Sequence, residues 1–481
     1  MNSRYVLKII GGLLIALGIT MAVPALIDFY SNHPNWPVFS LCGLATLVFG
    51  LVLYFSAANA PSSLSISDAY LLTFLSWLLI SIFGALPLFL SQENLSWTDA
   101  FFESVSGLTT TGATIFTGID SLPPGILMWR SILQWIGGIG VIVLAISLLP
   151  ALDSGAGRIF HMESSDQSEK PSPRMKPFIQ ALVQIYTLLT LLCALGYYLT
   201  EMSPFEAVAH SLTTLSTGGF STSDASFGHF TNPGTYWVAI VFMVLGSLPY
   251  LLYYQAARGN WEDLVKDDQV RFFLAFLGIS TAILTLSVWP QGNESLFDAL
   301  QQVLFHITSI VTTTGYTAID YSIWGTLAFE TFFLFLFVGG CSGSTAGGIK
   351  MFRFQIILRM IQVQFKRLLH PHVIVTPKFN GKPVEADMRE VVTLFFCLYI
   401  FFTCAVTLCL STLGLDFITS ASAAATAITN VGPGLGSIVG PVGNFQPLPD
   451  TAKWLLSFAM LAGRLELFTV FIIFTPTFWK H

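Results

Sequence analysis

Four short polar segments, each containing a glycine, recur in consecutive quarters of an otherwise apolar chain. Their sequences are Thr-Thr-Thr-Gly, Leu-Ser-Thr-Gly, Thr-Thr-Thr-Gly and Thr-Asn-Val-Gly, at residues 109–112, 215–218, 312–315 and 429–432. A single Thr-Gly pair is commonplace in turns, but four in matching positions can fold around one axis. Their backbone carbonyls would then form stacked rings that replace the hydration shell of a cation. The pattern therefore predicts an ion pore.

The composition places this pattern in a membrane. Hydrophobic residues make up 53% of the chain and charged residues only 10%, whereas about 25% of the residues of a typical soluble protein are charged. A transmembrane helix needs about 20 apolar residues, and ten windows of the sequence meet this requirement. We expect spans near residues 7–29, 37–57, 68–92, 126–150, 178–200, 235–255, 271–289, 324–349, 391–413 and 454–476.

The positions of lysine and arginine predict the orientation of these spans, because both residues concentrate in cytoplasmic loops. They cluster after the fourth, sixth and eighth windows, around residues 158–176, 258–271 and 353–389. We therefore expect those loops and both termini to be cytoplasmic. Lipid should cover the outer surface of the spans, and no motif or basic cluster points to a nucleic-acid partner.

After its first two windows, the chain repeats one unit four times: a span, a short amphipathic segment, the polar glycine element and a second span. The short segments, about 10 to 15 residues long, cannot cross a membrane and predict re-entrant helices. Each begins near an acidic residue that opposes the positive end of the helix dipole, so the negative end points along the pore. We expect a two-span extension at residues 1–58 and four units at 59–150, 151–257, 258–370 and 371–481.

Each polar element directly follows its short helix, so its backbone lies at membrane depth. Such backbone is tolerated only where it is buried in protein or lines a water-filled cavity, and glycine lets strands approach closely without a Cβ in the pore. The predicted ion-coordinating residues are Thr110, Thr111, Gly112, Ala113, Ser216, Thr217, Gly218, Gly219, Thr313, Thr314, Gly315, Tyr316, Asn430, Val431, Gly432 and Pro433.

The four elements and their flanks resemble the Trk/Ktr/HKT superfamily of potassium transporters over nearly the whole chain. The similar motifs are Ser-Gly-Leu-Thr-Thr-Thr-Gly-Ala-Thr at 106–114, Leu-Ser-Thr-Gly-Gly-Phe-Ser at 215–221, Val-Thr-Thr-Thr-Gly-Tyr at 311–316, Gly-Gly-Ile-Lys at 347–350 and Asn-Val-Gly-Pro-Gly at 430–434. The extra pair of spans before the first unit is similar to the TrkH branch. The expected fold is an all-α membrane protein with four tandem span, pore-helix, span units around one pore and two extra N-terminal spans.

The resemblance implies several further properties. These are a homodimer with one pore per subunit, a cytosolic nucleotide-binding regulatory subunit (TrkA-like), selectivity for potassium and rubidium over sodium, and a place in a bacterial inner membrane. In the family, a glycine in each of the four elements goes with potassium preference, whereas a serine in place of the first goes with sodium permeation. Gly112 therefore implies potassium preference.

A second glycine-rich segment interrupts the eighth window. Glycine costs about 1 kcal/mol relative to alanine inside a helix, so this density predicts an irregular loop with little intrinsic structure, lying in the pore below the filter. A small-residue packing face is the alternative. We expect a helix to resume from Met351 to Leu369, and the resemblance implies that the loop acts as a gate. The predicted gate residues are Gly339, Gly340, Gly343, Gly347, Gly348 and Lys350.

Arg464 lies well inside the last apolar window. A charge there usually faces a partner or a water-filled cavity. Glu466 is two residues away and off the same helical face, so a local ion pair is excluded. The resemblance implies that Arg464 faces the pore beside the gate, and we expect its guanidinium to donate hydrogen bonds to carbonyls of the loop. An ion pair with another helix that merely fixes packing is the alternative.

The sequence thus predicts potassium uptake by permeation through a four-unit carbonyl filter with an intramembrane gate. The alternative is a coupled secondary transporter, proton- or sodium-linked, that uses the same mid-membrane site. Inverted repeats are its usual sign, whereas these units run in parallel. Potassium is the expected substrate. We expect no cofactor and no enzymatic activity, because the sequence has no nucleotide-binding motif and His210 and His306 lack partners at ligand spacing.

Overall fold

The computed structural model describes residues 3–60, 64–148, 175–291 and 295–480, which are mostly helical. Within these ranges, extended pairing is confined to the antiparallel strands Lys378–Phe379 and Lys382–Pro383 and one bridge between Val338 and Ile349. The expected all-α membrane fold is confirmed. The basic loop after the fourth span, with Arg158, Lys170 and Arg174, and the boundary proposed at residue 150 lie outside the described residues.

The N-terminal extension is a helical hairpin. Helices Ser3–Thr20 and Ala22–Tyr30 follow one another almost without interruption, and Trp36–Ser56 returns beside them. Glycine brings the two backbones together, since a Cβ on Gly50 would lie 2.8 Å from the Ile15 amide nitrogen. Small residues at such crossings are typical of membrane helix pairs, in which close van der Waals packing replaces the hydrophobic effect.

Four units follow in chain order, as expected. Their first spans are Ile66–Phe89, Met175–Thr200, Asp268–Val288 and Ala386–Thr412. Their short helices are Trp97–Leu108, Pro204–Leu215, Leu296–Val311 and Phe417–Thr429. Their second spans are Pro124–Leu148, Pro233–Gly246 with Tyr250–Ala257, Thr326–Phe335 with Met351–Leu369, and Asp450–Arg464 with Leu467–Phe471. The short helices Trp261–Lys266 and Gly436–Val439 lie between these elements.

A polar side chain caps the start of each short helix. Ser96, Ser203 and Ser295 accept a hydrogen bond from the third backbone amide of the helix, and Asp416 accepts one from Thr419. Such caps satisfy amides that have no partner within the helix and are worth about 1 kcal/mol each. The predicted re-entrant helices therefore start where the sequence indicates, with their carbonyl ends directed at the polar loops.

The prediction of continuous spans is wrong for the second spans of units 2 and 4. Within the described ranges, seven helices are long and apolar enough to cross a membrane, and two bent pairs bring the number to nine. The second span of unit 2 bends by 90° just before Pro249, and that of unit 4 bends by 113° after Arg464. In unit 3, the helix Thr326–Phe335 stops before the glycine-rich segment, as expected. Hydropathy does not report the bends in units 2 and 4 because the residues around them remain apolar.

The units close into a ring. The second span of unit 1 packs on the short helix of unit 2, that of unit 2 packs on the short helix of unit 3, and Asp450–Arg464 of unit 4 packs on the short helix of unit 1. This arrangement directs the ends of the short helices, and the polar loops that follow them, toward one central axis.

We expect Gly50→Ala to lower the melting temperature of the purified protein. Its Cβ would press on the backbone of the first helix, and overpacking of this kind costs about 1–3 kcal/mol. Gly278→Ala is the matched control, since Gly278 also lies in a spanning helix but has open space around its Cα. The control should melt at or slightly above the temperature of the unsubstituted protein; equal melting temperatures for both variants would contradict the packing argument.

Candidate ion pathway

The four polar loops leave their short helices in the same way. In each, a backbone amide donates to the carbonyl five residues earlier, at the end of the short helix. These bonds join Thr111 to Ser106 (2.8 Å), Gly218 to Thr213 (2.8 Å), Thr314 to Ser309 (2.9 Å) and Val431 to Thr426 (3.1 Å). The shared bond defines which residues of the four loops are structurally equivalent.

Two residues of each loop adopt positive φ. The first set has φ of 53°, 52°, 59° and 57° at Thr110, Thr217, Thr313 and Asn430. The second has φ of 81°, 80°, 82° and 104° at Gly112, Gly219, Gly315 and Gly432. Positive φ is costly for threonine but not for glycine, so the glycines fall where the backbone requires them.

This register corrects the sequence alignment in the second loop. We expected Gly218 to match Gly112, but Gly219 takes that position and Phe220 follows it, where Gly219 was expected. Gly218 is glycine for a different reason, since a Cβ there would lie 2.3 Å from the side-chain Cδ of Gln134. Two adjacent glycines made both alignments compatible with the sequence.

The loops contact one another in a closed ring. A Cβ on Gly112 would lie 2.2 Å from the carbonyl oxygen of Gly218, and one on Gly219 would lie 1.9 Å from that of Thr314. The same contact joins Gly315 to Val431 at 1.9 Å and Gly432 to Thr111 at 2.6 Å. Each loop thus meets the next, and the fourth meets the first. The four loops that the sequence predicted to converge do so through their backbones.

Hydrogen bonds between buried side chains support the ring. The hydroxyls of Thr109 and Thr111 are hydrogen-bonded at 2.7 Å, and the equivalent pair, Thr312 and Thr314, at 2.8 Å. Asn430 Nδ2 donates to Thr111 Oγ1 at 2.9 Å, which joins the fourth loop to the first. These bonds are buried and hold the loop backbones in place.

Gln134 is a bracing residue that sequence reasoning missed. Its Nε2 donates to the Gly218 carbonyl at 2.6 Å and its Oε1 accepts from the Phe220 amide at 3.1 Å. Both bonds hold the second loop against the second span of unit 1. A lone glutamine inside an apolar window carries no spacing signal, so only the structure identifies it.

Tyr316 and two histidines fix the outer parts of loops 2 and 3. The Tyr316 hydroxyl lies 2.5 Å from Thr213 Oγ1, while its backbone carbonyl accepts from Ser309 at 2.7 Å. The Nε2 of His210 lies 3.0 Å from Ser221 Oγ, and that of His306 accepts from the Ala318 amide at 3.1 Å. Both histidines therefore hold their loops through hydrogen bonds within the protein.

The glycine-rich segment after Phe335 forms an ordered loop, which corrects the expectation of little intrinsic structure. The Gly339 amide donates to the Ile349 carbonyl (2.9 Å), the Cys341 amide to Ser247 (3.0 Å) and the Ser342 amide to Gln269 Oε1 (2.7 Å). The Lys350 ammonium donates to the carbonyl of Ala346, and a helix begins at Met351, as expected. Gly343 and Gly348 supply the left-handed turns, with φ of 71° and 66°.

This loop lies directly against the polar ring. The Gly347 amide donates to Thr313 Oγ1 at 2.6 Å, and a Cβ on Gly347 would lie 2.3 Å from the Thr429 carbonyl. Thr345 Oγ1 lies 3.3 Å from Thr217 Oγ1 and donates to a carbonyl of unit 2. The glycine-rich loop therefore contacts the polar loops of units 2, 3 and 4. Each contact lies at the first of the two positive-φ residues of that polar loop or next to it. In unit 1, the equivalent hydroxyl of Thr110 is buried without a hydrogen-bond partner.

Arg464 ends the helix Asp450–Arg464 instead of lying in mid-helix. Its side chain is 6% exposed, and Nε and both Nη atoms have no hydrogen-bond partner. The expected bonds to carbonyls of the glycine-rich loop are therefore absent. The neighbouring Gly463 packs against the Ile428 carbonyl in the last turn of the short helix of unit 4. In unit 1, Gly137 packs against the Leu108 carbonyl in the same way. Arg464 thus leaves the helix next to the ring.

Glu466 has the partner that Arg464 lacks. Its Oε2 lies 2.6 Å from Nη2 of Arg353, which follows the glycine-rich loop by less than one helical turn. The Arg353 guanidinium also stacks on Phe395, 3.9 Å from the ring centroid. A partly buried ion pair therefore joins the helix after the loop to the bend in the last span. Sequence spacing excluded a local pair for Glu466 but gave no signal for this distant one.

Comparisons with known proteins identify chains of the same length and fold. A family model described as TrkH, cation transport protein, matches residues 36–481. The chain is 45% identical to the Trk system potassium uptake protein TrkI of Halomonas elongata, over 99% of this chain and 97% of that protein. It is 34% identical to the Trk system potassium uptake protein TrkH of Escherichia coli over the full length of both. The crystal structure of the potassium transporter TrkH from Vibrio parahaemolyticus is 35% identical, covers both chains fully and superposes with a TM-score of 0.91.

Proposed function

Because this chain belongs to the TrkH family of cation transport proteins, we propose that it takes up potassium by permeation through the ring of four polar loops. The observation that carries the proposal is the closed contact of four equivalent backbones, each with two residues of positive φ. Relatives named as potassium uptake proteins align with it from end to end. Potassium is the substrate, and the chain acts as a transporter without catalysis.

Carbonyl oxygens at the ring replace the hydration shell of the ion in this proposal. The coordinating backbone comprises residues 110–113, 313–316 and 430–433 in loops 1, 3 and 4, and the corrected register moves it to 217–220 in loop 2. The short helices add the negative ends of their dipoles. Bracing by Gln134, Asn430 and the paired threonine hydroxyls keeps the ring from closing on a smaller ion.

Flux measurements separate permeation from coupled transport. Purified protein in liposomes should carry potassium and rubidium faster than sodium, down an imposed electrical gradient, with no dependence on a proton or sodium gradient. Proton- or sodium-driven accumulation of potassium against its own gradient would instead support the coupled transporter. Equal rates for all three cations would contradict selective uptake.

In the membrane, we infer that the basic segments around residues 258–271 and 353–389 face the cytoplasm of a bacterial cell, with both termini on that side. Lys and Arg concentrate in cytoplasmic loops, and the described part of the chain keeps these segments at one end of the spans. The glycine-rich loop then lies on the cytoplasmic side of the ring, and the segment after each ring loop lies on the outer side.

The glycine-rich loop, residues 336–350, acts as the gate. It occupies the inner face of the ring, where it hydrogen-bonds to the hydroxyls of Thr217 and Thr313, and it blocks the path of an ion there. Arg464 places a buried charge without a hydrogen-bond partner next to the ring, which raises the electrostatic barrier for a cation. Both act on the same inner segment of the pathway.

The chain works with partners in this proposal: a second copy of itself and a cytosolic nucleotide-binding subunit. The hairpin at residues 378–383 offers a route from such a subunit to the gate. Asn380 bonds to Asp267 and Asp268, at 2.9 and 2.8 Å, and the next residue, Gln269, holds Ser342 of the gate at 2.7 Å. A partner that moves the hairpin would therefore displace the gate through the contacts of residues 267–269.

Gly112→Ser should erode the discrimination of potassium from sodium, because its Cβ would press on the Gly218 carbonyl in the ring. The corrected register predicts the same result for Gly219→Ser. Gly414→Ser is the matched control, since Gly414 has a φ of 88° but open space around it. Rubidium and sodium uptake into liposomes measures the effect. Full selectivity in Gly112→Ser would remove that residue from the filter.

Shortening the gate loop should raise potassium flux, and so should Arg464→Ala, because each removes part of the barrier below the ring. The double variant should gain less than the sum, since both changes act on one barrier, and the potassium-to-sodium ratio should not change. Arg359→Ala, an exposed arginine on the helix after the loop, is the control. Unchanged flux or lost expression in Arg464→Ala would instead indicate that Arg464 only stabilises the packing of the helices.

Potassium flux in cells should depend on a separate soluble protein that co-purifies with the tagged chain and responds to nucleotide. Asn380→Ala should weaken that response without changing the basal flux of the purified chain, because it cuts the link to the start of the helix at Asp268. Lys266→Ala, which breaks only an exposed pair with Glu262, should keep the response. Isolation of the chain alone, with nucleotide-responsive flux and no additions, would contradict the partner.

A further inference from the structure

A buried ion pair lies at the outer edge of the ring, between Glu103 of the first short helix and Arg130 of the second span of unit 1. Arg130 Nε donates to Glu103 Oε1 at 2.8 Å, and the two side chains are 1% and 0% exposed. Buried pairs are costly unless further hydrogen bonds satisfy both groups. The partners of this pair therefore indicate what it holds.

The carboxylate holds the outer part of loop 1. Its Oε1 also accepts from Thr114 Oγ1 at 3.0 Å, and its Oε2 accepts from the Ile115 amide at 2.9 Å. Thr114 and Ile115 come directly after Gly112 and Ala113 in the chain. A carboxylate in the middle of the short helix thus fixes the path of loop 1 as it leaves the ring.

The guanidinium holds loop 2. Its Nη1 donates to the Ser221 carbonyl at 3.0 Å, its Nη2 donates to Thr114 Oγ1 at 3.2 Å, and its carbon lies 4.1 Å from the centroid of the Phe220 ring. Gln134, one helical turn further on, bonds to the same loop at Gly218 and Phe220. One face of this helix therefore fixes loop 2 and ties it to loop 1.

Neutral groups join the other units on this side. The hydroxyls of Tyr316 and Thr213 join units 2 and 3, and the Phe445 amide bonds to the Thr114 carbonyl between units 4 and 1. The ion pair between Lys453 and Asp99 lies at the start of the short helix, away from the loops. A planar guanidinium presents its donors in a fixed arrangement that reaches three separated acceptors, whereas an ammonium is a compact charge with rotatable donors.

We propose that Glu103 and Arg130 are positioning residues that set the distance between loops 1 and 2 and thereby the size discrimination of the pathway. The pair carries no net charge, so it fixes the two backbones without adding a barrier for a cation. The inference rests on the proposed function of the loops as the filter. It adds that selectivity depends on side chains that do not line the pathway.

Rubidium and sodium uptake into liposomes tests this with Arg130→Lys, Glu103→Gln and the double variant Glu103→Gln/Arg130→Gln. We expect the rubidium-to-sodium ratio to fall about tenfold in each, a change that corresponds to about 1.4 kcal/mol. Lys453→Gln and Asp99→Asn remove the other pair and should keep the ratio. The double variant leaves no unpaired buried charge, so it carries the test if a single variant does not fold.

A merely structural pair would lower the yield of folded protein and the flux of both cations equally, with no change in the ratio. That result in the double variant, or an equal loss of ratio in the Lys453 and Asp99 variants, overturns the positioning role. If the unsubstituted protein prefers rubidium to sodium and the Glu103 and Arg130 variants keep the same ratio, this inference alone fails. If the unsubstituted protein does not discriminate, the proposed filter fails and the inference fails with it.

Discussion

The structure depends on the close approach of four backbones at the centre of an apolar protein. Peptide groups there must be satisfied by the protein or by what passes through it, and a Cβ at the second positive-φ position would collide with the next loop in every unit. Glycine at Gly112, Gly219, Gly315 and Gly432 removes that collision. Only glycine permits this contact. It is maintained by the capped short helices, by the backbone hydrogen bond from each loop to the carbonyl five residues earlier, and by the paired threonine hydroxyls.

The same contact explains why the second spans differ among the units. Gly137, Gly246 and Gly463 each lie against a carbonyl in the last turn of the short helix of their own unit, so the chain must pass close to the ring there. Only the span of unit 1 continues as a helix beyond that point. The others turn away at Ser247, after Phe335 and after Arg464, and these breaks open space below the ring for the loop at residues 336–350.

Periodicity, capping residues and glycine density predicted the four units, the starts of the short helices and the helix at Met351, because these features depend on local sequence. They did not predict the register of loop 2, where Gly218 and Gly219 are locally equivalent and only the bond from Gly218 to Thr213 separates them. They also missed Gln134, the Arg130 pair and the partner of Glu466. Those contacts join residues far apart in the chain, and a single polar residue in an apolar window does not identify its partner.

Different groups of residues hold the outer and the inner side of the ring. On the outer side, Glu103, Arg130 and His210 belong to helices and fix the loops with buried bonds. On the inner side, Thr217 and Thr313 bond to the loop at residues 336–350, which is anchored to Ser247, Gln269 and its own backbone. In the proposed gating, withdrawal of this loop would free the inner hydroxyls and leave the outer bonds intact, because no residue belongs to both sets. The pathway would then open without relaxing the part that we propose as the filter.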